Sequence, residues 1–439
     1  MQDMYSTVAP LDGSSQHAPA HEAPPDAASH LLRLPNELLL LIAGYAAPTP
    51  VVLEVTYPGY VKPAFSVNED QGFGHEYKCN PKWRASHSQE VRDEYASRAN
   101  GLVNLSLVCK ALTPVAQHIL YRDVSLLQPR RVCSSDKPTL PSALACFLRT
   151  MLQRPWLALR VRSLCVWIWE DKAISLPSDV DVRALTALVY SIDVSVVEKE
   201  AWSRALDSPF EATVCGLVFA ALPRLEAVEL YSHKSPHPGS EDRDNEQSCL
   251  QVPRLAMGLS MTHITSLTVS TRLNGLDAAR LPSLKTLAVN FDGFNVFDRV
   301  DQGSFVNVET LKIRHTPCSH WPDEALCEEL SKLLHHLPSL RTIDFLSSSC
   351  LPRRTLIPNQ VETIKFREVQ DNELFELCLF LTMQSRHSTL PRALNRIEIY
   401  WRQLNLDCGQ WGYPHGVAER TGVKMFVTGC DGLLHAIIG

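Results

Sequence analysis

Four groups of side chains in this 439-residue sequence have types and spacings that chemistry could use, and each lacks part of its machinery. Ser134-Ser135-Asp136-Lys137 has the S-x-x-K spacing of a serine nucleophile with a lysine base, but it abuts Pro138 and no companion motif accompanies it. Asp242, Asp244 and Glu246 alternate like the first ligands of a calcium loop. The turn glycine and the distal glutamate are missing, so the stretch reads as solvated charge. His335 and His336 are adjacent on a predicted helix. Neighbours on a helix point to different faces, so the pair cannot share a metal, and at a C-terminus it complements the negative helix end. The 13 cysteines include no C-x-x-C pair, and an odd, scattered set fits neither a disulfide framework nor a zinc ribbon. They read as reduced thiols buried as small hydrophobes, in a cytoplasmic or nuclear protein. No G-x-S-x-G elbow, G-x-x-x-x-G-K-[ST] loop or H-E-x-x-H helix occurs. The expectation is a protein that is not an enzyme, with no catalytic residue, no metal site and no cofactor.

Large aromatic residues offer recognition instead. Trp156, Trp167, Trp169 and Trp401 fall on predicted strands or at their edges. Buried, they are core; exposed, they are anchors for a partner. Alternation along residues 164–169 puts Leu164, Val166 and Ile168 on the core side. Trp167 and Trp169 then stand on the opposite face, as the candidate substrate-binding residues.

The elements carrying these residues announce themselves by repetition. Leu222-Pro223-Arg224-Leu225-Glu226-Ala227-Val228-Glu229-Leu230 matches Leu281-Pro282-Ser283-Leu284-Lys285-Thr286-Leu287-Ala288-Val289, and Leu337-Pro338-Ser339-Leu340-Arg341-Thr342-Ile343-Asp344-Phe345 matches both. The core of the phrase, apolar-x-x-apolar-x-apolar, returns at Val161/Leu164/Val166, Ile264/Leu267/Val269, Val308/Leu311/Ile313, Val361/Ile364/Phe366 and Leu394/Ile397/Ile399. The last two apolar positions alternate, which implies a short strand. Helical stripes precede several phrases: Leu144/Leu148/Met151/Leu152, Val214/Leu217/Val218/Ala221, Leu326/Leu330/Leu333/Leu334 and Leu374/Leu377/Cys378/Leu381. Helix then strand, repeated at about 20 to 40 residues, is the mark of a solenoid whose units bury their apolar edges only against each other. The solenoid is expected over residues 127–439.

Ahead of it the chain changes character. Residues 1–30 hold few large apolar side chains and several prolines, and read as a disordered tail. They lack the charged start and apolar core of a signal peptide. In Leu34-Pro35-Asn36-Glu37-Leu38 proline suits a first helical turn, and Leu38, Leu41, Ile42 and Tyr45 form one helical face. Residues 47–100 carry Pro48, Pro50, Pro58, Pro63 and Pro81, and read as a long irregular insertion. Leu105, Val108, Cys109 and Leu112 begin a second stripe. Thr113 then caps a third helix with Pro114 at its first position and Ala116, Ile119 and Leu120 inward. Val124 and Leu126 alternate as a strand.

The formal net charge is -6 and the pI near 6.2, so no basic excess exists to hold a phosphate backbone and nucleic acid is not expected as a partner. No apolar run approaches the ~20 residues of a membrane helix, so no membrane is expected either.

Leu34-Pro35-Asn36-Glu37-Leu38-Leu39 with Ile42, followed by Leu105-Ser106-Leu107-Val108-Cys109-Lys110-Ala111-Leu112, resembles the F-box motif. The continuation from Pro114 to Leu126, and the phrase from Leu152 to Leu164, is similar to fungal F-box proteins with leucine-rich repeats. The family joins its first two helices by a short loop; here the insertion is about ten times longer, which loop-closure entropy tolerates. The repeats also lack a regular asparagine ladder. The resemblance implies an α+β repeat protein. An N-terminal three-helix F-box module over residues 31–126 precedes an irregular α/β leucine-rich-repeat solenoid. It also implies that Leu34, Pro35, Leu38, Ile42, Leu105, Val108, Cys109 and Leu112 dock on a Skp-family adaptor, and through it on a cullin–RING ubiquitin ligase. The repeat domain would then hold an unknown protein substrate. A rival reading stays open: a repeat scaffold without a ubiquitin role, whose N-terminal helices only cap the array.

Overall fold

The computed structural model describes residue 39 and residues 112–126, 142–169, 173–192, 195–206, 209–233, 255, 258–260, 262–270, 280–291, 305–315, 330–346, 357–369, 371–386, 390–401, 412–428 and 434–438. The expected tail and the 47–100 insertion lie outside the described residues, as do the first two expected F-box helices except for Leu39, which is helical and buried.

Each recurring phrase folds in the same two steps. Its first half is a turn: the Leu225 N–H donates to Leu222 O at 3.3 Å, Leu284 to Leu281 at 3.1 Å and Leu340 to Leu337 at 3.2 Å. Proline at the second turn position presets φ and removes an N–H the turn does not need. Both leucines of every such turn are buried. The second half is a strand.

These strands are β1 (Asp123–Leu126), β2 (Ser163–Trp169), β3 (Ala227–His233), β4 (Ser266–Ser270), β5 (Thr286–Phe291), β6 (Thr310–His315), β7 (Thr342–Phe345), β8 (Thr363–Val369), β9 (Arg396–Trp401), β10 (Lys424–Thr428) and β11 (Leu434–Ile438). They make one eleven-stranded sheet in strict chain order. The first ten are parallel, and β11 returns antiparallel to β10. The eight phrases are β2 to β9. The strand expected at Val124 and Leu126 is the first of the sheet, paired with β2. The sequence reading did not anticipate β10 and β11.

Register aligns the phrases into rows. Val124, Leu164, Val228, Leu267, Leu287, Leu311, Ile343, Ile364, Ile397 and Met425 are successive Cα partners across ten strands. Leu126, Val166, Leu230, Val269, Val289, Ile313, Phe345, Phe366, Ile399 and Val427 form a second row. From β2 onward both rows are buried and belong to one continuous core. Phe345 and Phe366 stack at 5.3 Å, an offset aromatic step within the second row.

The bends entering the strands are closed by backbone alone. The Arg162 carbonyl accepts the N–H groups of Glu226 (2.8 Å) and Ala227 (3.0 Å), and the Glu226 carbonyl those of Thr265 (2.7 Å) and Ser266 (3.2 Å). The same two-for-one pattern recurs at Thr265, Lys285, Glu309, Arg341 and Glu362. It meets the demand that buried bends leave no N–H orphaned, without an asparagine ladder.

The described helices are α1 (Thr113–Leu120), α2 (Ala143–Gln153), α3 (Pro155–Ala158), α4 (Val182–Ser191), α5 (Val196–Ala205), α6 (Glu211–Ala220), α7 (Asp371–Arg386) and α8 (Gly412–Thr421). Shorter helical stretches lie at 258–260 and 330–335. Helix α1 starts one residue earlier than expected: Thr113 is inside it, and Leu112 holds the cap position with no side-chain cap bond. Val115 and Ala116 are buried there, while Ile119 and Leu120 are only half-buried. Ser142 caps α2 through Leu144 N–H, and Asp181 caps α4 through Arg183 and Ala184 N–H. Helix α6 is apolar all round because it is surrounded, packing on α2, α4 and β2. After α8, Gly422 takes φ +68°, with its N–H on Ala418 O at 2.8 Å, a left-handed helix stop that suits glycine.

Helix α6 also meets the 258–260 turn at backbone distance. A Cβ on Gly258 would lie 2.1 Å from Gly216 O and 2.6 Å from Gly216 Cα. Gly258→Ala is expected to lower the unfolding free energy by about 1–3 kcal/mol, since backbone on both sides must move. Ile364→Ala, in the middle of the first apolar row, is expected to lower it by about 2–5 kcal/mol. Urea denaturation read by far-UV circular dichroism checks both.

Candidate binding surface

Of the expected adaptor-docking residues, Leu34, Pro35, Leu38, Ile42, Leu105, Val108 and Cys109 lie outside the described residues. Leu112 is described and 2% exposed, so this chain already covers its side chain. Just beyond it, α1 is tied to the first unit of the sheet. Arg160 Nη1 donates to Pro114 O at 3.1 Å, and its guanidinium sits 5.0 Å from the Trp156 ring. Trp156 thus supports this junction. His118 on α1 is held below its ordinary pKa by burial, then by the nearby charges of Arg160 and Arg122.

The sheet face opposite the two apolar rows carries the polar and partly exposed strand residues, with Cys165, Tyr231, Ala288, Asp344 and Glu398 buried among them. Alternation fills it with the residues between the core positions: Cys165, Glu229, Thr268, Ala288, Lys312, Asp344, Lys365, Glu398 and Phe426 are successive partners across nine strands. A neighbouring row places Thr286, Thr310, Thr342 and Thr363 on four consecutive strands.

Leu164, Val166 and Ile168 are fully buried, as alternation required, and Trp167 stands on the open face, partly exposed. It stacks on Tyr231, its partner on β3, with ring centroids 4.6 Å apart and planes 17° from parallel. Tyr231 OH reaches Glu229 Oε2 at 3.4 Å. Tyr231 itself is buried and backs the partly exposed Trp167, and an indole held this way is suited to anchoring a partner. The side chains of Trp169 and Trp401 lie outside the described set.

The other half of the face is ionic. Asp344 is almost buried, and Arg367 forks onto it from β8, with Nε and Nη2 at 2.9–3.1 Å from its two oxygens. Glu398 on β9 takes Lys365 Nζ at 2.9 Å, Arg396 Nε at 2.6 Å and the Tyr400 OH at 2.8 Å. Burial pulls the Glu398 pKa up. The bonds from Lys365 and Tyr400 and the charges of Lys365 and Arg396 outweigh it and hold the carboxyl below its ordinary range. Tyr400 is pushed the other way, by burial first and then by its bond to the Glu398 carboxylate. Arg367 also lies over the Tyr400 ring at 4.9 Å, and Arg396 over Phe426 at 4.2 Å. None of this was read from the sequence, where Lys365, Arg367, Glu398 and Tyr400 are ordinary polar strand positions.

The other chemical candidates are placed more plainly. Cys165, Cys215 and Cys378 are buried, and burial pushes each thiol pKa up, Cys378 to about 12. They stay protonated and poorly nucleophilic, which fits the reading of buried small hydrophobes. His335 and His336 end the 330–335 helix, with rings edge-on at 5.8 Å. Among the described residues no three His, Cys, Asp or Glu side chains gather where they could hold a metal ion. Ser134–Lys137 and Asp242–Glu246 lie outside the described residues. Among those residues, no helix is long and apolar enough to cross a membrane.

In comparisons with known proteins, no family model matches the chain and no curated protein matches it. Its class rests on its own geometry: an α/β fold built on ten parallel strands.

The lowered pKa of Glu398 has a consequence for stability. A carboxyl with a depressed folded pKa stabilises the fold above its unfolded value, near 4.5, and that stabilisation is lost as pH falls through the folded value. Glu398→Gln is therefore expected to flatten the acid limb of a melting-temperature profile recorded from pH 7 down to pH 3. An unchanged slope below pH 4.5 would rule out this role.

Proposed function

We propose that the chain is a non-enzymatic substrate-recognition adaptor of an SCF-type ubiquitin ligase. Its N-terminal helices dock as an F-box on a Skp-family adaptor, and its strand array acts as a leucine-rich-repeat solenoid that holds a target protein. The observation that supports the second half is the face opposite the core: strands in register set partly exposed side chains such as Glu229, Thr268, Lys312, Lys365 and Phe426 between buried ones across nine strands. A long, rigid, chemically varied surface suits binding, since preorganised side chains lose little entropy when a partner arrives. The first half rests on the F-box resemblance at Leu34–Ile42 and Leu105–Leu112. The tie between α1 and the first unit supports it, because a target held on the sheet would keep a fixed orientation to the docking helices. Such a protein works in the cytoplasm or nucleus.

Capture of a Skp-family adaptor by the purified full chain is the direct test. Leu34→Ala with Pro35→Ala is expected to abolish capture while leaving the circular dichroism and melting temperature of the sheet unchanged. Failure of the unaltered protein to capture any Skp-family adaptor would sink the ligase role and leave the scaffold reading.

A further inference from the structure

We infer that the β6–β10 half of the open face binds an extended, carboxylate-rich peptide segment of the target. This rests on the reading of the open face as the target-holding surface. The chain carries a net charge of -6, yet the described residues of this half concentrate positive charge. Lys312, Lys365, Arg367, Arg396 and Lys424 face two carboxylates, Asp344 and Glu398, a surplus of three. The two carboxylates are almost buried and fully engaged, so they fix the cations in place and offer little to an incoming partner. Charge on the strand-entry edge beside this half cancels in pairs, Lys285 with Glu309 and Arg341 with Glu362. The surplus therefore belongs to the face itself.

Two cations have their charge left over. Among the described residues, Lys312 makes no ion pair although Asp344 is its cross-strand partner, because Arg367 already occupies that carboxylate. Lys424 is exposed and directly across from Arg396, whose charge Glu398 already answers, so the Lys424 charge is the one left over. The spacing suits an extended chain crossing the strands. Lys312 and Lys365 share a register row two strands apart, and Lys424 lies two strands further along, two residues back from that row, which Phe426 holds on β10. Two strands span about 9.6 Å, and one three-residue turn of an extended polyproline II segment spans about 9.3 Å. In that conformation acidic side chains at every third position return to the same face, so they would meet Lys312 and Lys365 in turn, with the flexible four-carbon stem of Lys424 covering its offset. Positive potential over a rigid face also steers an acidic partner toward it.

The test uses the full chain and a fluorescent probe peptide of about a dozen residues with Glu at every third position, beside the same peptide with Gln. Lys312→Glu with Lys424→Glu reverses two charges that no described ion pair uses. Anisotropy titrations are expected to show the Gln probe, and the variant with the Glu probe, binding about tenfold or more weakly. Binding of the Glu probe should also weaken steeply with salt. Equal binding of the two probes, unchanged binding by the variant, or equally tight binding of a DNA duplex of similar length would overturn the inference. Adaptor capture is run on the same preparations. Loss of probe selectivity with capture intact overturns this inference alone, whereas probe selectivity without capture overturns the ligase reading and leaves the acidic-segment site standing.

Discussion

Two unbroken apolar rows hold this protein together, and everything else is arranged around them. No strand of the sheet has a core of its own. Leu287 is buried because Leu267 and Leu311 flank it, and Leu311 because Ile343 follows. Such an array is stabilised between neighbours, so a cavity in any row weakens the contacts on both sides of it. The same constraint explains the closure at β10 and β11. The last parallel strand needs a partner on its free edge, and a strand that turns back antiparallel supplies one within a few residues.

Register is the second requirement, since a slip of one residue would exchange buried and open faces throughout the array. The strand-entry bends fix it. One carbonyl per unit accepts two N–H groups from the next, so each unit's position relative to its neighbour is set by backbone rather than by a particular side chain. That leaves the side chains at those bends free to vary, and here they alternate in sign: Arg162 with Glu226, Lys285 with Glu309, Arg341 with Glu362. These pairs are exposed and contribute little stability. Their arrangement keeps the edge electrically neutral beside a face that is not.

The open face is divided. Toward β2 and β3 it carries the Trp167–Tyr231 stack, and toward β8 to β10 a lattice of cations organised by two sunken carboxylates. Burying Asp344 and Glu398 is tolerable only because each is answered by cations and hydrogen-bond donors. That engagement makes the lattice rigid. A partner contacting both halves would meet an apolar, aromatic anchor and an electrostatic one on a single scaffold.

The sequence by itself determined the repeating unit. Apolar-x-x-apolar-x-apolar is a local pattern, and the turn and strand it encodes depend on proline, alternation and burial within a few residues, so eight phrases from Val161 to Ile399 could be read directly. Its scattered cysteines read as packing residues, and among the described residues Cys165, Cys215 and Cys378 are buried in that way. Val423/Met425/Val427 escaped because its apolar residues are spaced two and two rather than three and two, so it does not carry the phrase. Only the tertiary structure decided which polar residues share the open face. Lys312, Asp344, Arg367, Glu398 and Arg396 come from four strands separated by loops of varied length, and no local pattern relates them. Their neighbourhood is a property of register, which exists only once the strands have paired.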